Sequence, residues 1–505
     1  MAFGNVWKSL KVASEQVIEW RPRQDSNLRH RLRRPVLYPL SYGGKSRDDR
    51  SRPDGVDVPD PTGAAVSCFT MPTEDGIATA PVERKLLPRT AMVAEDGHLR
   101  VGDIDLLDLA AEFGTPLFVY DEFHLRQACR AAVDAWGDGV AYAAKAFLCR
   151  SMARLAYEEG MHLDVASGGE LHVALSAGVP AAKLVLHGNN KSEEELATAL
   201  ECGVGRIVVD SFDEITRLGR LLDSSLTTSR RPAVLVRVTP GVEAHTHEFV
   251  RTGGEDSKFG FYVASGAAAQ AVAALELLPS VELVGVHAHI GSQVFDVSSF
   301  EQAAEVLGRF FAPLGLPELV VGGGLGVPYV NGETAPSQKE WANATRAACT
   351  RVGVDPAVRI TAEPGRSIVA AAGLTLYTVG TVKRLPGIRT YVSVDGGMSD
   401  NPRPVLYGSG YEAFLPRAVA APRPEPVRLV GKHCESGDLI VPNAFVPADL
   451  GVGDVVATPV TGAYGYAMAS NYNKVPRPAV VFVADGSARV VVRRETLEDM
   501  IRLDA

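Results

Sequence analysis

Eight short β-branched runs, spaced by amphipathic stretches, constrain this 505-residue chain more than any other feature. The runs fall at 140–143, 162–165, 184–187, 206–209, 233–238, 283–289, 318–321 and 358–362. Between them lie segments such as 192–202, 212–222 and 266–277, whose apolar residues recur at helical spacing. Strands that alternate with helices pair in parallel, because a parallel neighbour is reached only by a long crossover. Eight such units over about 230 residues predict a (β/α)8 barrel.

After residue 365 the pattern changes. Runs at 374–382, 389–394, 427–431, 454–459, 479–483 and 488–493 read as strands with few helices between them, which predicts an antiparallel β domain. The run PLFVY at 116–120 precedes a helix expected over 122–136 and is assigned to that same β domain. The expected organisation is α/β. A segment at 71–120 contributes to the β domain, a TIM-like (β/α)8 barrel spans 121–372, and the C-terminal β domain spans 373–505.

Residues 1–70 do not fit this plan. Positions 1–50 hold 11 Lys and Arg against 5 Asp and Glu, which leaves −15 on the remainder of a chain whose net charge is −9. The stretch 21–44 has no helical or strand period, and the segment lacks the apolar core of a secretory signal and carries acidic residues foreign to a transit peptide. It resembles the spurious peptide made when an upstream transfer-RNA gene is read through a misassigned start, with Met71 the expected first residue. It is expected to be mostly disordered. The acidic body argues against nucleic-acid binding, and no apolar run is long enough to span a bilayer. Six scattered cysteines without a Cys-x-x-Cys pair fit a reducing cytoplasm and no structural zinc site.

Barrel active sites lie at the C-terminal ends of the strands, and the chemically unusual residues fall there. Strand one runs into AAKAF with Lys145, strand two into DVASGGE with Asp164, and strand three into HGNNKS with His187. Strand six leads to HAHIGSQ, strand seven to GGGLG and strand eight to AEPGR. A lone lysine is ordinarily a solvated one. Lys145, however, is set in an apolar stretch, and Schiff-base chemistry calls for a partly desolvated amine. His287 and His289, two apart on a strand, share a face. They suit either a metal pair, for which no supporting ligand cluster is evident, or a ring stack on an aromatic group. Gly322–Gly324 lacks dinucleotide-fold spacing but suits backbone amides closing on a phosphate. Glu363 and Arg366 could form a surface salt bridge, or Glu363 could face a pyridine nitrogen and keep it protonated.

The motifs YAAKAF (142–147), HLDVASGGEL (162–171), LHGNNKS (186–192) and THEFVRTGGEDSKFG (246–260) resemble those of the diaminopimelate decarboxylases. So do HAHIGSQ, GGGLG, AEPGR, VDGGMSDNPRPVLYG (394–408), GKHCESGD (431–438) and TGAYGYAMASNYN (461–473). That family comprises pyridoxal 5'-phosphate enzymes with an alanine-racemase-like barrel, and the likeness runs from about residue 107 to the C-terminus.

The resemblance implies that Lys145 carries the cofactor as a Schiff base and that His289 stacks on its ring. It implies cofactor contacts from Asp164, Ser292, Gly323, Gly324, Glu363, Pro364, Gly365, Arg366 and Tyr464. Cys434 is implied as the proton donor, and Arg366, Arg403, Tyr407, Glu435 and Tyr464 as substrate contacts. The CESGD segment would reach a neighbouring subunit's site, so a homodimer is implied, with no metal. Ornithine and arginine decarboxylases of the same scaffold favour acidic residues for a distal cation. A distal carboxylate instead needs arginine in bidentate geometry, so Arg403 in RPVLYG favours meso-diaminopimelate over basic amino acids. Retention of Lys145, Glu363 and Cys434 together argues against a non-catalytic relative.

Overall fold

The computed structural model describes residues 79–223, 231–242 and 256–505. The expected leader, Met71 and most of the 246–260 motif lie outside the described residues. Residues Pro72–Ala505 form one unit.

The eight expected barrel strands are present. They run Ala141–Ala143, His162–Val165, Leu184–Leu186, Arg206–Val209, Ala233–Thr239, Glu282–His287, Glu318–Val320 and Arg359–Thr361. Each pairs in parallel with its neighbour in chain order. Closure comes from backbone bonds between the first and last strands: the Ala141 N–H donates to the Ala362 carbonyl, and the Ala143 N–H donates to the Pro364 carbonyl. Strands buried on both faces need continuous apolar sequence. Ala141, Val185, Val208, Ala233, Leu235, Val284 and Val320, small and branched side chains from six of the strands, form one buried apolar cluster. The outer helices begin where polar caps stop the strand-to-helix loops. Ser192 with Glu195 and Ser337 with Glu340 both form reciprocal capping boxes.

The second sheet contains the six expected strands, led by the long strand Gly373–Leu385. Leu117–Asp121 joins it as expected, antiparallel to Gly373–Leu385 and parallel to Ala479–Ala484. The sheet is mixed rather than purely antiparallel, since Arg389–Val394 and Glu425–Val430 also pair in parallel. One strand, Leu439–Val446, escaped the sequence reading because a proline and an asparagine interrupt its apolar run. A small sheet of Met92–Val93, Leu99–Val101 and Ile104–Asp105, followed by the helix Leu106–Phe113, was also not expected. Two strand ends are corrected: His187 and His289 lie beyond the strands, in the turns that follow them. Among the described residues no helix is long and apolar enough to cross a membrane.

Candidate active site

Closing the barrel between its first and eighth strands puts Lys145 and Glu363 at adjacent strand ends. A cavity of about 460 Å³ opens there, within the roughly 300–1,000 Å³ usual for small-molecule sites. Lys145 sits on the short turn Ala144–Ala146 and is the one exposed residue between Ala141 and Phe147. Its side chain lines the cavity.

Glu363 is the buried acid of the site. Its Oε1 is 2.9 Å from His187 Nε2, and its Oε2 is 2.8 Å from His287 Nε2. A carboxylate only accepts, so both imidazoles donate from Nε2. Burial pushes Glu363 toward its neutral form, but the field and hydrogen bonds of the two histidines outweigh it and hold the carboxyl well below the usual range. The suggested Glu363–Arg366 salt bridge does not form. Arg366 bonds instead to the Tyr329 hydroxyl at 2.7 Å and to Ser292 Oγ at 2.8 Å. His187, His287 and Glu363 form a group with metal-ligand donor types that the sequence had not revealed. Both Nε2 atoms are engaged with Glu363, and among the described residues His287 Nδ1 has no hydrogen-bond partner.

Asp164 lies 3.6 Å from His187 Nε2, and burial raises its carboxyl to about 6. His289 accepts the Gly323 N–H at Nδ1, 3.0 Å away, which leaves Nε2 as its donor. Burial, then the charges of Lys145 and Arg237, push its pKa well below the ordinary value, so the ring is uncharged. Two glycines make the floor possible. A Cβ on Gly323 would lie 2.4 Å from the Glu363 carbonyl, and one on Gly324, at φ +118°, 2.4 Å from the Gly291 carbonyl. Tyr464 reaches in from the second sheet, held by its N–H on the Ala146 carbonyl at 2.9 Å and by a left-handed backbone at φ +59°.

Lys145, Asp164, His289, Ser292, Gly323, Gly324, Glu363, Gly365, Arg366, Tyr407 and Tyr464 all line the cavity. Pro364 contributes the closing carbonyl behind it. Arg403 is buried outside the lining, stacked 4.1 Å above the Tyr329 ring. Cys434 and Glu435 are exposed and outside it. Their loop is held by Asp438, which accepts from Met398 N–H and His433 N–H, while Glu435 accepts from the Tyr472 hydroxyl.

Arg237, Lys258 and Phe259 also line the cavity and were not singled out from the sequence. The signal for Arg237 was present: it is the lone charge in a wholly buried strand, AVLVRVT. Its partner Asp210 is 3.4 Å away, and Phe259 lies 4.3 Å beneath its guanidinium. Four cationic side chains (Lys145, Arg237, Lys258, Arg366) against two carboxylates (Asp164, Glu363) make the cavity a receptor for anions. An amine for a carbonyl, an acid clamped at the cavity wall, an uncharged imidazole and side-chain-free glycine backbone suit a phosphorylated pyridine aldehyde.

A family model described as "Pyridoxal-dependent decarboxylase, pyridoxal binding domain" matches residues 123–370. The diaminopimelate decarboxylase of Mycobacterium tuberculosis is 48% identical over 438 residues, covering 83% of this chain and 97% of its own. That of Bacillus subtilis is 45% identical, covering 82% of this chain and 97% of its own. The crystal structure of the M. jannaschii diaminopimelate decarboxylase in complex with L-lysine aligns with a TM-score of 0.76 at 32% identity, covering 83% of this chain and 98% of that one. With this likeness extending over nearly the full length of those relatives, the chain belongs to the diaminopimelate decarboxylase family of pyridoxal-dependent decarboxylases.

Proposed function

We propose that this chain converts meso-2,6-diaminopimelate to L-lysine and carbon dioxide with pyridoxal 5'-phosphate, the last step of lysine biosynthesis. The observation that carries the reading is the pairing of Lys145 with a doubly clamped Glu363 across one anion-seeking cavity, in a chain 48% identical to diaminopimelate decarboxylase.

When bound, the cofactor supplies an electron sink for the pair left at Cα as carbon dioxide departs. Lys145 provides the amine that would hold the cofactor's carbonyl carbon. Glu363, kept ionised by His187 and His287, provides the negative charge that favours a protonated ring nitrogen. His289 presents an uncharged imidazole suited to lie against a ring, and Asp164 adds polar contact beside His187. Ser292, Gly323, Gly324 and the Pro364-Gly365-Arg366 turn would hold the cofactor's phosphate, and Tyr464, which lines the same cavity, would also contact the cofactor.

Arg366, Arg403, Tyr407, Glu435 and Tyr464 bind substrate, with the two arginines selecting a second carboxylate. Cys434 returns a proton to Cα. The family likeness assigns Cys434 and Glu435 to the site of a second copy in a homodimer, and their exposure outside their own chain's cavity lining supports that reading. A biosynthetic enzyme of this kind works in the cytoplasm.

The test is spectroscopic. The purified protein should show a visible absorbance band that borohydride bleaches and that Lys145→Ala removes along with turnover. A protein that stays colourless with added cofactor contradicts the reading.

A further inference from the structure

Arg366 lines the cavity and Arg403 stands outside its lining, and both guanidiniums are buried. Among the described residues no carboxylate is bonded to either, and the Nε atom of each has no hydrogen-bond partner. Buried cations without counter-charge are costly and repel one another, so whatever sets their spacing sets the shape of the anion they accept. Tyr329, itself 4% exposed, touches both. Its hydroxyl accepts from Arg366 Nη1 at 2.7 Å, while its ring carries the Arg403 guanidinium carbon 4.1 Å from the centroid. Tyr411 fixes that ring edge-on at 5.2 Å and accepts from Arg403 Nη1 through its own hydroxyl. One side chain therefore offers an oxygen to one cation and a π face to the other.

We propose that Tyr329 is a specificity-determining positioning residue, locking Arg366 and Arg403 into one receptor for the carboxylate that the substrate keeps. This rests on the functional reading above. Loss of one carbon dioxide from a diamino diacid leaves an amino acid that still carries the other carboxylate, so the product L-lysine engages the receptor. Cadaverine, with the same carbon chain and both amines but no carboxylate, does not.

The experiment compares wild-type holoenzyme with Tyr329→Phe, which keeps the ring and loses the hydroxyl, and Tyr329→Leu, which loses both. Inhibition constants for L-lysine and cadaverine are measured against meso-diaminopimelate turnover, with direct binding followed by the cofactor absorbance. The L-lysine constant should rise about tenfold in Tyr329→Phe and further in Tyr329→Leu. The cadaverine constant should stay within about twofold. A parallel rise for both ligands marks general loosening of the site and overturns the assignment, as does no change for either. A wild-type enzyme that binds cadaverine as tightly as L-lysine defeats the functional reading as well. Wild-type preference for L-lysine with unaltered variants sinks only the role of Tyr329.

Discussion

Nε2 of His287 lies 2.8 Å from Oε2 of Glu363, and both side chains are buried. His187 takes the other oxygen at 2.9 Å. A lone buried carboxylate would favour its neutral form, and two N–H donors reverse that preference. The charge that the cofactor ring requires is therefore a property of three side chains brought together from the third, sixth and eighth strand ends.

Replacing both histidines with leucine removes the donors and leaves the burial. The Glu363 carboxyl should then move upward, and the acid limb of the kcat/KM profile should shift up by about one pH unit or more. Glu363→Gln should remove that limb. A profile unchanged in the double variant would show that the histidines do not set the ionisation of Glu363.

Gly323→Ala places a methyl 2.4 Å from the Glu363 carbonyl, with backbone rather than a flexible side chain in the way. A loss of about 1–3 kcal/mol in unfolding free energy is expected, together with weaker cofactor retention on dialysis. Retention and stability equal to wild type would mean that the floor has slack.

Asp400, buried three residues before Arg403, accepts from the Tyr377 hydroxyl at 2.6 Å and from the Gly397 N–H at 2.8 Å. Burial raises its carboxyl from 3.8 to about 7, although those two bonds oppose the shift. Between these values the folded chain holds a proton that the unfolded chain has lost, so this group's contribution to stability falls as pH rises through the window and levels off above it. Urea midpoints should show wild type losing ground to Asp400→Asn from about pH 4 to about pH 7. A pH-independent gap would contradict the raised carboxyl.

Shared sites in a dimer predict complementation. Lys145→Ala and Cys434→Ala are each expected to be nearly inactive. Mixed and reassociated, they should recover about a quarter of wild-type activity, since half of the dimers are hybrids with one intact site. No recovery on mixing, with exchange verified, would place Cys434 in its own chain's site or outside the reaction.

The barrel was legible because its strands are apolar on both faces and punctuated by helices, and because Lys145, Glu363 and the glycine turn all fall at strand ends. The pairing of Glu363 with His187 was not legible, since 176 residues separate them and only barrel closure sets their distance. Tyr329 gave no local signal for the same reason: its partners lie 37 residues on at Arg366 and farther still at Arg403. Arg237 did give one, a charge inside an apolar strand. The parallel pairings of the second sheet stayed hidden because strand direction depends on connections rather than on residue pattern.

The most direct test of the account is carbon dioxide release by the purified holoenzyme from meso-diaminopimelate, L-lysine, L-ornithine and L-arginine, each offered alone. The two buried arginines predict turnover of meso-diaminopimelate, with the three basic amino acids at or near background. Faster release from ornithine, arginine or lysine would contradict the assignment of this site to a substrate with a second carboxylate.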